Sequence, residues 1–167
     1  MMRKLAYAGA TLLALLAVLY LWGSLLPLAN SGSRSIVIHA PPQRVWDVML
    51  DPARVPQWQD MVARAERISE HRTRLTYTDG IVAIMEDTQF EPPRRYAERS
   101  VPSPETPFRS RVRVEIDPVG DAHSRFTVHS TIEIDAPLIR FAQRYFFTLD
   151  KAHDNMLIAL KRLAENP

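Results

Sequence analysis

Hydrophobic positions fall into three regimes along the chain. From Leu5 onward about 25 residues carry no charge, "LAYAGATLLALLAVLYLWGSLLPLAN". Wound as a helix they would run roughly 37 Å, enough to cross a hydrocarbon core of about 30 Å. This pattern predicts a transmembrane anchor over residues 1–29, with Tyr7, Tyr20 and Trp22 toward the two interfaces, where amphipathic rings are favoured. A cleaved signal peptide would have a shorter apolar region ending in a small-x-small site, and Pro27 spoils the site that would end at Ala29. Arg3 and Lys4 precede the run. Held on the cytoplasmic side, they give a single-pass protein whose C-terminal domain is periplasmic or otherwise extracytoplasmic. Residues 30–34 read as a polar linker, and 35–167 as one domain.

In that domain the period alternates between helix and strand. "SIVIHA" is a β-branched run that stops at "APP", and Pro42 suits the first turn of a helix, where a missing N–H leaves nothing unpaired. Val45, Trp46, Val48 and Met49 then fall at helical spacing. A residue before proline avoids the α region, so this helix should stop at Asp51-Pro52. Asp51 can cap a second short helix over "PARVPQW". After it the period becomes two. "RTRLTYTDGIVAIMEDTQFEP" predicts a hairpin about Asp79-Gly80, and "RRYAERSV" continues the meander. In "FRSRVRVEI" Phe108, Ser110, Val112, Val114 and Ile116 face one way, with Arg109, Arg111, Arg113 and Glu115 on the other. "RFTVHSTIEI" repeats the alternation, as antiparallel strands with one wet face do. The third regime is a stripe at spacings of three and four, Leu138, Ala142, Tyr145, Leu149, Ala152, Met156, Leu160 and Leu163, which predicts one long amphipathic helix. The class is therefore α+β, with helices gathered on one face of an antiparallel sheet.

Composition removes several chemistries. With 46% hydrophobic residues the chain can bury a real core, and the lack of cysteine excludes disulfides, thiolate catalysis and Cys-based zinc sites. Beyond Asn30 basic and acidic residues balance at nineteen each, so nucleic acid is not an expected partner. The five histidines form no HExxH motif and no pair four apart on a helix, and neither a GxSxG nor a glycine-rich phosphate loop occurs. No metal or cofactor is expected. The arginines of the wet strand face share it with Glu115 and Glu133, the pattern of a solvated surface. Trp46 and Trp58, at helical spacing, read as core.

The strand–helix opening, with Ala40-Pro41, Val45-Trp46, Asp51-Pro52 and Pro56-Gln57-Trp58 in turn, resembles the START-like (SRPBCC) superfamily of polyketide cyclase/dehydrase and lipid-transport domains, over about Ser35 to Leu163. The resemblance implies a helix-grip fold, a curved antiparallel sheet wrapped around a long C-terminal helix with an apolar cavity between them. It brings a pocket and no shared catalytic motif.

Candidate ligand-binding positions follow from the pleat. Tyr77, Ser110, Val112 and Ser130 point inward by parity, and Tyr145, Leu149 and Met156 lie on the helix stripe facing them. Glu86 is a candidate cavity carboxylate because Val82, Ile84, Glu86, Thr88 and Phe90 share a parity, and burial would raise its pKa. The opposite parity, Ile81, Ala83 and Met85, is nearly as apolar, and the period does not decide between them. The expected function is a membrane-tethered binding domain for a hydrophobic small molecule of lipid, quinone or polyketide type. Its alternatives are a cyclase or dehydratase-type enzyme, which would need two inward titratable groups, and an interaction module of a membrane complex, marked by a large outer apolar patch.

Overall fold

The computed structural model describes residues 2–146 and 148–166, and within the first helix the side chains of Met2, Arg3, Leu5, Ala6 and Ala8 lie outside that description. Any reading that rests on the Arg3 side chain lies outside it too. Helix α1 spans Met2–Leu25. Among the described residues no helix is long and apolar enough to cross a membrane, so the structure does not support the anchor expected over 1–29.

Strand β1 (Ala29–Ile38) leads into α2 (Pro42–Leu50) and α3 (Val55–Trp58), followed by β2 (Val62–Ser69), β3 (Arg72–Tyr77), β4 (Val82–Glu91), β5 (Arg95–Ser100), β6 (Phe108–Val119) and β7 (His123–Ile134). Helices α4 (Pro137–Tyr145) and α5 (Leu149–Glu165) close the chain. The strands form a single seven-stranded sheet in the order β1-β7-β6-β5-β4-β3-β2, each adjacent pair antiparallel. α5 packs on β1 at one edge and on α3, which in turn packs on β2 at the other, so the helices bridge the two ends of the sheet. This is the α+β plan the pattern predicts, in the helix-grip arrangement the resemblance implies.

Turn chemistry behaves as the sequence demands. Gly80 sits at φ 87° and Gly120 at φ 65°, the left-handed region that glycine enters without a Cβ penalty. The Asp79 carboxylate accepts a bond from the Ile81 N–H at 3.1 Å, fixing the β3–β4 hairpin. The core gathers Ile38, Val45, Trp46, Met49, Trp58, Leu75, Met85, Val114, Ile116, Phe126, Val128, Leu157 and Leu160 between sheet and helices.

Three expectations are corrected. Residues 30–34 are no linker: they belong to β1, pairing from Ala29 opposite Glu133, because β7 is long enough to offer a ladder to every one of them. The second short helix starts at Val55 rather than Pro52, since Asp51 uses its carboxylate on the Ala53 N–H at 3.0 Å in a turn that precedes the helix. The C-terminal helix is broken. α4 ends at Tyr145, and α5 begins after Thr148, a residue type that favours the helix N-cap over its interior. α4 leaves the sheet and packs on α1, with the Trp22 Nε1–H donating to the Tyr145 hydroxyl at 3.1 Å and Arg140 donating to the Leu26 carbonyl at 3.3 Å.

Candidate functional site

The inward face of the sheet is read by register. Leu75 stands opposite Ala83, Met85 opposite Ser100, Asp87 opposite Glu98, Glu98 opposite Val112, and Val112 opposite Ser130. Buried residues of this face, Leu75, Ala83, Met85, Val114 and Val128, surround others that keep partial exposure, Tyr77, Glu98, Phe108, Val112 and Ile132. The half-exposed group marks the part of this face that the helices leave incompletely covered, referred to below as the hollow. Its floor is partly polar, unlike the apolar cavity the resemblance implies.

Of the sequence-derived candidates, Tyr77, Ser110, Val112 and Ser130 point inward as expected. Tyr77 packs edge-on against Phe108, ring centroids 5.8 Å apart. Burial, then the charges of Glu98 and Asp79, push its hydroxyl up to about 12, so it is a donor at neutral pH. Ser110 is buried, its backbone N–H donating to Ser100 Oγ at 2.8 Å. Leu149 is buried at the start of α5, where β1 has Gly32. A Cβ there would come within 3.1 Å of the Leu149 side chain and 3.3 Å of the His153 ring, so any other residue would require those side chains to give by a few tenths of an ångström. Met156 is half-buried against the core.

Two candidates do not join the hollow. Glu86 faces outward between Arg72 and Arg99, its cross-strand neighbours on β3 and β5, with ion pairs of 2.8 and 2.9 Å. Hydrogen bonds from Arg72 and then Arg99 hold its carboxyl below the usual range, the reverse of the expected shift. The inward parity of β4 is the competing one, Ala83 and Met85, because these small and flexible side chains fill the core beside Leu75 while the charged row pairs outside. Tyr145 lies on α4, about half exposed and bonded to Trp22 rather than facing the sheet.

The sequence reading missed two polar centres. The first spans β2, β4 and β5. The Tyr96 hydroxyl lies 2.8 Å from Asp87 Oδ1 and 2.9 Å from Glu98 Oε2, and Arg67 donates to Asp87 Oδ2 at 3.0 Å. A tyrosine has one proton to donate, so two such short contacts are satisfied together only when one carboxyl brings a proton of its own. Arg67 is paired with Asp87 and not with Glu98, which leaves the proton on Glu98. Burial is the main cause that raises the Glu98 carboxyl from 4.5 to about 7; Asp87 adds to the rise, while the Tyr96 hydrogen bond and Arg67 work against it. The signal was present in "RRYAERS": putting Arg95 and Arg99 outward puts Tyr96, Glu98 and Ser100 inward.

The second centre joins Ser130 of β7 to His153 of α5, with Oγ and Nε2 2.6 Å apart and both residues buried. Burial lowers the His153 pKa below its usual value, so the ring is neutral at physiological pH. Its Nδ1 is buried and has no partner among the described residues. Val112 lies between the two centres in register. Among the described residues no cluster could hold a metal ion.

Two clefts open elsewhere, neither lined by the half-exposed inward residues. One of about 280 Å³ runs between α3 and α5, lined by Pro56, Trp58, Asn155, Ile158 and Arg162. The other, about 230 Å³, opens where β5 and β6 part beyond Arg99, lined by Ser100, Ser110 and the ion-paired Arg99 and Arg109. On the outward face Arg109 pairs with Glu133 at 3.0 Å and Arg95 with Glu115 at 2.8 Å.

No curated protein sequence matches the chain. Solved structures share its fold at low identity. A conserved protein from Geobacillus kaustophilus aligns with TM-score 0.67 at 18% identity, over 81% of this chain and 95% of that one. The Zhui aromatase/cyclase of a Streptomyces species aligns with TM-score 0.67 at 13% identity, over 82% of this chain and 94% of that one. A START superfamily protein from Mycobacterium smegmatis gives TM-score 0.65 at 15% identity, covering 81% and 97%. The family model described as polyketide cyclase / dehydrase and lipid transport matches residues 31–165, and the chain belongs to that family.

Proposed function

We propose that this protein binds an apolar small molecule in the hollow between the concave sheet and α5. The observation that carries the reading is the outline of half-exposed inward residues, Tyr77, Phe108, Val112 and Ile132, set among a buried apolar core and flanked by two polar centres. Apolar walls with a few convergent polar groups are the usual make-up of a small-molecule site. Family membership agrees with it.

A membrane tether through α1 is the second part of the proposal. Its support is the uncharged run after Lys4 and the exposure of Leu12, Leu13, Leu15, Leu16, Val18 and Leu21 on that helix. β1 follows α1 almost directly, so a bilayer engaged by α1 would lie against the domain, where greasy ligands dissolve. Placement of the domain outside the cytoplasm belongs to the same proposal, with protease accessibility in intact cells as its test.

The test of binding is native mass spectrometry and organic extraction of the full chain purified in mild detergent. A stoichiometric apolar molecule is expected to co-purify or to be taken up from a cell lipid extract; a chain that stays empty in both refutes the reading.

A cyclase or dehydratase activity is the second reading, favoured by the relay Asp87–Tyr96–Glu98, whose acid sits near neutral pH. A positioned acid of this kind contributes roughly 10² to 10⁴ in rate. Turnover of a bound ligand that survives Glu98→Gln unchanged would exclude that role.

A further inference from the structure

The polar centre on β4 and β5 also bears on which ligands the hollow takes. The inference rests on the binding reading above and narrows its ligand. Charged and titratable groups reach this side of the hollow from each neighbouring element. β4 supplies Asp87, β5 supplies Tyr96 and Glu98, and β2 supplies Arg67. β3 and its turn supply Tyr77 and Asp79. β6 faces it with uncharged Ser110, Val112 and Val114, and α2 with the Trp46 ring, 6.3 Å from that of Tyr96. From α5 comes His153, bonded to Ser130 and uncharged. The one cation of the set, Arg67, is already engaged by Asp87 at 3.0 Å and Thr73 at 3.2 Å. An incoming carboxylate therefore finds two acids and no unengaged cation.

An uncharged head finds complementary groups instead. With Glu98 Oε2 turned to Tyr96, its other oxygen is left to accept a hydrogen bond. The Tyr77 hydroxyl, on a half-buried ring steadied by Phe108, is a donor in the same electrostatic neighbourhood. A hydroxyl both donates and accepts, so it suits this pair, whereas an anion can only accept. We propose that the hollow takes apolar ligands with an uncharged hydroxyl head, alcohols or phenols, set against Tyr77 and Glu98, and turns away carboxylate-headed ligands such as fatty acids.

The probes are naphthalene, 2-naphthol and 2-naphthoate, which share a ring system and differ in the head. Each is titrated calorimetrically into the full chain in detergent micelles at pH 6 and pH 8, with protein-free micelles as the blank. A phenol remains neutral and a carboxylic acid ionised across this range. At pH 8 naphthol should bind at least about tenfold tighter than naphthoate, a difference of about 1.4 kcal/mol. Naphthoate should weaken further from pH 6 to pH 8 as Glu98 ionises, and that change should vanish in Glu98→Gln. Tyr77→Phe, which keeps the ring, should weaken naphthol about fivefold through one lost hydrogen bond and leave naphthalene unchanged. Circular dichroism checks that each variant is folded. If naphthalene binds and naphthoate matches naphthol, the hollow binds ligands and the head-group inference alone is overturned. If none of the three binds, the binding reading falls and the inference with it.

Discussion

Glu98→Gln should make the protein more stable at alkaline pH and leave it nearly unchanged at acid pH. In the native state burial keeps the Glu98 carboxyl protonated up to about 7, whereas in the unfolded chain it loses its proton near 4.5. Between these values the folded protein holds a proton that the unfolded chain has released, so stability falls as pH rises. The stabilisation linked to that proton is fully present below 4.5 and gone above about 7. At about 1.4 kcal/mol per pH unit, the span from 4.5 to about 7 amounts to about 3 kcal/mol. Glutamine never ionises, and its amide can meet Tyr96 either as donor or as acceptor. Urea denaturation of wild type and variant in the same detergent, followed by the fluorescence of buried Trp46 and Trp58, gives the difference at pH 5, 6.5 and 8. Other titrations cancel in that difference. The variant should gain on wild type by about 2 to 3 kcal/mol from pH 5 to pH 8. A difference that does not change with pH, or one in which wild type gains, would refute the assignment of the proton to Glu98.

Three further outcomes are expected. Leu160→Ala removes a side chain with 0% exposure and should cost about 2 to 5 kcal/mol by denaturant titration; below about 0.5 kcal/mol the α5 stripe would not be core. Ser130→Ala takes the partner from His153 Nε2, whose ring then has neither nitrogen paired, and should cost about 1 to 3 kcal/mol in the same assay. Intact mass of the membrane-fraction protein should show a start at Met1 or Met2, and a mature start near Asn30 would contradict retention of α1.

What was legible in the sequence is what local physics sets. Asp79-Gly80 announced its hairpin because only a few residue types enter the left-handed region, and the alternation along β6 and β7 announced its wet and dry faces because arginine cannot be buried unpaired. Non-local pairing decided the rest. β4 has two apolar parities, and Glu86 faces out because Arg72 and Arg99 arrive beside it through registers no single strand reveals. Residues 30–34 look like a linker in isolation and become strand only because β7 extends alongside. β2, rich in charge as an edge strand can be, offered no clear period. On α5 the buried set is Leu149, His153, Leu157, Leu160 and Ala164, turned from the expected Ala152, Met156 and Leu163; a histidine on the apolar face hid the phase. The acid centre was half legible, since the Arg95–Arg99 alternation aims Glu98 inward, but its link to Asp87 needed the register across the irregularity after Asp87.

The central claim, that the ligand occupies the hollow of the concave sheet, is tested most directly by filling it. Val112 lies in register between Glu98 and Ser130 and is half-buried, so Val112→Trp sets an indole between the two polar centres. Affinity for 2-naphthol, measured by calorimetry on the folded variant, should drop at least about tenfold. An unchanged affinity in a variant that keeps its circular dichroism spectrum would place the ligand elsewhere on the molecule.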